Sequence, residues 1–211
     1  MQIALVLYDR FTALDIVGPY EVLSRLPGAQ IDFVAAQAGP VRADTGFLAI
    51  TADKALADVP HPDVVVVPGG SGTPVEIENK AFLEWLRAAD ATSTWTTSVC
   101  TGSLLLAAAG LLEGRRATSH WLALDFLPQY GAEPTGERVV PDGKYITAAG
   151  VSAGIDMGLT LAGKITGDEH AQATQLLIEY DPQPPYDAGS PQKAPAHLVE
   201  EFRTNSRFSL T

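Results

Sequence analysis

The chain has 211 residues, 46% hydrophobic and 18% charged, a balance that excludes a disordered protein and suits one domain of ordinary to large size with a sizeable core. A formal net charge of −11 repels phosphate backbones and anionic lipid heads, which disfavours nucleic acid and membrane surfaces as partners. The single cysteine excludes an internal disulfide and fits a reducing cytoplasm.

"IALVLY" (3–8) is a near-continuous apolar run, the pattern of a strand buried on both faces of a parallel sheet. It carries no basic leader, so it predicts a first strand and not a signal peptide. Residues 13–26 have helical apolar spacing with Pro19 in the early turns. Residues 31–36 predict a second strand, and 41–53 a hairpin around Gly46. "DVVVVPGGSG" (63–72) predicts a buried strand and a glycine-rich turn. Residues 76–90 predict an amphipathic helix with Phe82, Trp85 and Leu86 on one face. A strand over 93–99 leads through Cys100 into an apolar helix over 101–112, and a helix ending at Pro128 follows. Residues 137–150 predict a hairpin at Asp142-Gly143. Helices over 151–166, 167–179 and 196–203 flank a Pro/Gly-rich segment over about 180–195 that lies extended on the surface. The longest apolar runs are too short to cross a bilayer. Strands alternating with helices, without repeat or linker, give one α/β domain over residues 1–211 with a mostly parallel sheet.

In such sheets the ligand crevice lies at the carboxyl ends of the strands. Cys100 stands where a strand gives way to a helix, near amides and a positive dipole end that favour a thiolate nucleophile; taken alone, a lone cysteine is more often a small core residue. Gly69 and Gly70 of "PGGSG" can turn backbone N–H groups into the same crevice as an oxyanion hole, although taken alone an ordinary tight turn explains them better. Asp15, soon after the first strand, would have a raised pKa beside a thiolate and could act as a general acid, or it could simply cap a helix. His120 suits either a base for Cys100 or a hydrogen-bonded structural role. His61, His170 and His197 lack supporting context, and with one cysteine the histidines show no metal-ligand spacing.

Four stretches, "LDIVGPYEVL", "VVVVPGG", "TSVCTGSLLLAAAGLLEGRRATSHW" and "AAGVSAGIDMGLTL", together resemble the DJ-1/PfpI superfamily over most of the chain. The resemblance implies a flavodoxin-like three-layer sandwich, a cysteine on a strained nucleophile elbow, and a homodimer. Within the superfamily the chain is most similar to the isonitrile hydratase branch, through Asp15 where many relatives carry Glu, through Cys100-Thr101-Gly102, and through the tail "IEYDPQPPYDAGSPQKAP". Thr101 stands where the protease-like branch has His.

That branch implies hydration of a small-molecule isonitrile by water, with no cofactor: Cys100 as nucleophile, Asp15 as acid, and Thr101 assisting. Gly69 and Gly70 would be amide donors, while Gly150 and His120 would line the pocket. Two alternatives remain open. One is another cysteine activity of the superfamily, such as conversion of glyoxals. The other is a redox- or ligand-sensing domain related to AraC-type regulators, whose DNA-binding module this chain lacks.

Overall fold

The computed structural model describes residues 1–206; residues 207–211 of the expected domain lie outside the described residues. In chain order the elements are β1 (Gln2–Val6), α1 (Ala13–Leu23), β2 (Gln30–Ala35), β3 (Gly39–Arg42), β4 (Ala49–Ala52), β5 (Lys54–Ala55) and β6 (Val64–Val67). There follow α2 (Thr73–Ile77), α3 (Lys80–Thr92), β7 (Trp95–Val99), α4 (Gly102–Ala108), β8 (Arg116–Ala117) and β9 (Glu133–Pro134). The hairpin strands β10 (Val139–Asp142) and β11 (Tyr145–Ala148) precede α5 (Ala153–Thr166), α6 (Asp168–Leu177) and α7 (Ala196–Thr204).

Seven strands form one sheet in the order β10-β11-β7-β6-β1-β2-β5, parallel throughout except where β10 returns antiparallel on β11. The unbroken apolar runs have the expected cause: every residue of β6 is buried, because helices cover both faces of the sheet. Helices α1, α5 and α6 pack together on one side, and α2, α3 and α4 on the other. This is the expected α/β sandwich. The hairpin β3–β4 stands apart from the sheet as a ribbon. No helix among the described residues is long and apolar enough to cross a membrane.

Helices α1 and α5 approach closely through glycine. A Cβ at Gly18 would stand 3.1 Å from Ile155 Cγ1, and one at Gly154 would stand 3.1 Å from Pro19 Cδ. Pro19 thus lies in the middle of α1 and not in its first turns, its ring seated on the bare backbone of α5.

Three element boundaries differ from expectation, each for a local reason. The helix expected over 76–90 starts at Lys80, because Asn79 Oδ1 accepts from the Phe82 amide and caps it; residues 73–77 form the separate short helix α2. The helix expected over 101–112 stops at Ala108, ahead of Gly110 at φ +81°. The helix expected to end at Pro128 is a 3₁₀ segment, Leu124–Tyr130, which runs through the proline and closes at Gly131 with φ +77°.

Candidate active site

The order of strands turns at β1, with β2 and β5 to one side and β6, β7 and β11 to the other. Four adjacent strands deliver the site from their carboxyl ends. β1 leads to Asp15, β6 to Pro68-Gly69-Gly70, β7 to Cys100, and β11 to Gly150 and Val151. This is the crevice an open α/β sheet offers to ligands.

Cys100 has φ +58°, a left-handed conformation that a residue with a Cβ adopts only under constraint, at about 1–3 kcal/mol. The constraint is visible. The Cys100 amide donates to both Ala148 O (3.1 Å) and Ala149 O (2.9 Å) of the neighbouring strand end. Its carbonyl accepts from Ser119 Oγ (3.1 Å) and Ser103 Oγ (3.3 Å). The elbow leaves Sγ at the floor of a cavity of about 280 Å³ whose walls include Thr12, Ser71, His120, Leu122, Val151 and Phe202.

The glycines of the turn after β6 make that approach possible. A Cβ on Gly69 would lie 2.4 Å from the Thr101 amide nitrogen, and one on Gly102 would lie 2.2 Å from Val67 O. Both N–H groups expected to form an oxyanion hole are engaged within the protein. Gly69 N–H donates to Asp15 Oδ2 (2.8 Å), and Gly70 N–H donates to Thr101 Oγ1 (3.0 Å). The amides that do face the sulfur belong to Thr101 and Val151.

Asp15 is wholly buried, and its Oδ1 has no partner of conventional hydrogen-bond geometry among the described residues. Burial pushes its pKa up to about 8, against the pull of the Gly69 amide; the charge of Asp44 adds to the rise, and a hydrogen bond with Cys100 opposes it. Burial likewise pushes the Cys100 thiol up, and a charged Asp15 pushes it further. The Thr101 and Val151 amides oppose burial and favour the thiolate. Facing one another out of water, the two groups hold at most one negative charge between them.

His120 lines the cavity but makes no hydrogen bond to Cys100. Its Nδ1 accepts from the Leu122 amide (3.3 Å), which puts the ring proton on Nε2, and burial lowers its pKa, keeping it neutral. It packs against Gly150, where a Cβ would lie 3.0 Å from His120 Cδ2. Ser71 lines the same cavity with a buried hydroxyl that has no partner among the described residues.

Thr101 Oγ1 lies 2.8 Å from Thr73 Oγ1, which lies 3.1 Å from the Tyr8 hydroxyl, which donates to Pro68 O at 2.9 Å. Ser71, Thr73, Tyr8 and Phe202 did not stand out in the sequence, although Ser71 lies within the glycine turn and Thr73 just after it. Among the described residues no three His, Cys, Asp or Glu side chains converge to hold a metal ion.

Comparison with known proteins adds four findings. A sequence profile of the DJ-1/PfpI family matches residues 1–164. An isonitrile hydratase of Pseudomonas putida is 45% identical over 210 residues, spanning 100% of this chain and 92% of that protein. The HTH-type transcriptional regulator CdhR of Pseudomonas aeruginosa is 37% identical over 65% of this chain, which corresponds to only 41% of the regulator. Among solved structures, a ThiJ/PfpI family protein from Pseudomonas syringae superposes with a TM-score of 0.93 at 41% identity, covering 96% of this chain and 84% of that one.

Proposed function

The chain belongs to the DJ-1/PfpI family, and on that premise we propose that it is an isonitrile hydratase, converting R–N≡C and water to the formamide R–NH–CHO. The observation that carries the proposal is the 45% identity to an isonitrile hydratase along the whole length of this chain. The site is consistent with it: a buried Cys100–Asp15 pair that can supply one sulfur nucleophile and one proton.

The terminal carbon of an isonitrile accepts both a proton and a nucleophile. The Asp15 carboxyl, protonated below about pH 8, gives its proton to that carbon. The Cys100 sulfur forms the C–S bond, and the thiol proton returns to Asp15. The product is a thioimidate, R–N=CH–S–Cys100. Water then adds across C=N, its oxygen to carbon and one proton to nitrogen. The C–S bond breaks with its electrons on sulfur, the hydroxyl proton passes through Asp15 to that sulfur, and the formamide leaves. One difficult addition thereby becomes two easier ones.

The Thr101 and Val151 amides meet negative charge on sulfur as it develops. The Ser71 hydroxyl and the His120 Nε2–H are the polar contacts left for the nitrogen and the formyl oxygen. Gly69 and Gly70 hold Asp15 and Thr101 in place. We assign the enzyme to the reducing cytoplasm as a homodimer. The support for this is the lone buried thiol, together with exposed apolar side chains near the site at Leu14, Phe47 and Leu48.

The test is chromatographic detection of formamide from a simple aryl isonitrile, with wild type beside Cys100→Ala and Cys100→Ser. Formation by wild type alone is the expected outcome. Equal turnover by Cys100→Ala would end the covalent scheme, and no turnover by wild type would end the hydratase assignment.

A further inference from the structure

The loop after β8 serves two hollows. His120 and Leu122 line the cavity above Cys100, while Trp121 between them lines a smaller hollow with Ala188, Pro191 and Leu198. Phe202 of α7 lines both. Leu198, Val199 and Phe202 recur at the spacing of one helix face, and all three line the hollow at Trp121. The Arg203 guanidinium stands 6.0 Å from the centre of the same Trp121 ring. α7 buries no residue, so Phe202 serves no core; its ring is a partition between the two hollows.

The cavity above Cys100 grades from buried to exposed. Cys100 is 6% exposed, Leu122 and Val151 are half-buried, and Phe202 is 58% exposed. The sulfur is therefore the floor and Phe202 the rim. Among the described residues that line the cavity, only Leu122, Val151 and Phe202 have hydrocarbon side chains. At about 280 Å³ it stands at the small end of ligand pockets, which run from about 300 to 1,000 Å³.

An isonitrile is linear along C≡N–R. With its terminal carbon against Sγ, R points away from the floor and reaches the rim. What the protein reads of R is what the rim offers. We propose that Phe202 is a specificity-determining residue, which with Leu122 and Val151 selects isonitriles whose R group is apolar and about the size of one aryl ring. The proposal rests on the hydratase reading and adds to it the class of R.

One assay uses isonitriles and a second does without them. The first compares kcat/KM for phenyl and methyl isonitrile. In Phe202→Ala the preference for phenyl should fall about tenfold, with the loss in KM, because Phe202 touches R alike in the ground state and the transition state. The second compares alkylation of Cys100 by iodoacetanilide and by iodoacetamide, followed by intact mass. In both the sulfur displaces iodide from the same CH₂ group, and only iodoacetanilide carries a phenyl ring toward the rim. The ratio of the two rates cancels any change in the acidity or access of the thiol. Phe202→Ala should lower this ratio by about threefold or more, the contribution of one aromatic contact.

Leu198→Ala loosens the same helix on Trp121 without removing a wall of the cavity, and should keep the wild-type ratio. An equal fall there would make Phe202 a prop for α7 and overturn the proposal. So would an unchanged or raised ratio in Phe202→Ala in either assay. If wild type hydrates neither isonitrile, the hydratase assignment fails, and the alkylation ratio still decides the role of Phe202.

Discussion

Asp15 is a carboxyl group removed from water and left with a single conventional donor, the Gly69 amide. Its folded pKa of about 8 stands above the ordinary value of 3.8, so the folded state keeps a proton that the unfolded chain releases. Its contribution is fully favourable below about pH 4 and is lost as pH rises toward 8. Asp15→Asn is neutral at every pH and should flatten that slope. At pH 8 it should melt above wild type by ~1–3 kcal/mol, on the order of 2–10 °C for a chain of this size, while forming no formamide. Near pH 4 the two should melt together. Parallel pH profiles in circular dichroism melts would place the slope elsewhere. Cys100 and Asp15 were legible in the sequence because each follows the apolar run of a strand, and strand ends are where such folds place chemistry. Tyr8 and Thr73 were not, because what unites them is a run of hydrogen bonds between residues 28 to 65 positions apart, and spacing carries no trace of it. The Gly69 and Gly70 amides were misjudged for the same reason. A sequence shows that an N–H exists, and only the fold shows what already accepts it.

The turn after β6 and the start of α4 interlock so closely that a single carbon decides whether they fit. Gly69→Ala would press a Cβ against the Thr101 amide, and no side-chain rotation relieves a contact with backbone. We expect it to lower stability by ~1–3 kcal/mol and to abolish hydration, since the elbow must shift. Gly136→Ala, with nothing within 4 Å of the added carbon, should leave both unchanged. Retention of full activity by Gly69→Ala would show that the elbow tolerates displacement. Element types and the parallel sheet were readable from periodicity, because apolar runs and helical spacing report burial directly. Boundaries were less so. The start of α3 depends on one side chain capping one amide, and the 3₁₀ segment through Pro128 depends on tertiary packing that overrides a proline stop.

Across the molecule, the β3–β4 hairpin is tied to the start of α1 by the Thr12 Oγ1–Asp44 Oδ2 hydrogen bond (2.7 Å) and by backbone pairing of Phe11 with Ala43. Its tip carries Phe47, 94% exposed, beside Leu48. A homodimer that uses this exposed apolar tip as its interface predicts that Phe47→Glu with Leu48→Glu halves the mass measured by light scattering on a sizing column. A wild type already monomeric at micromolar concentration would refute the dimer. The cavity above Cys100 draws its walls from the whole span of the polypeptide, with Thr12 close to one end, and Phe202 on α7 and Asn205 at its cap close to the other. A ribosome releases these walls in order, roughly ten seconds apart and not all at once: the elbow emerges before α7 exists to close over it. The nascent chain therefore carries its one cysteine without the last part of its enclosure, and a protease cut in the exposed segment before α7 would return the finished protein to that earlier, more open condition.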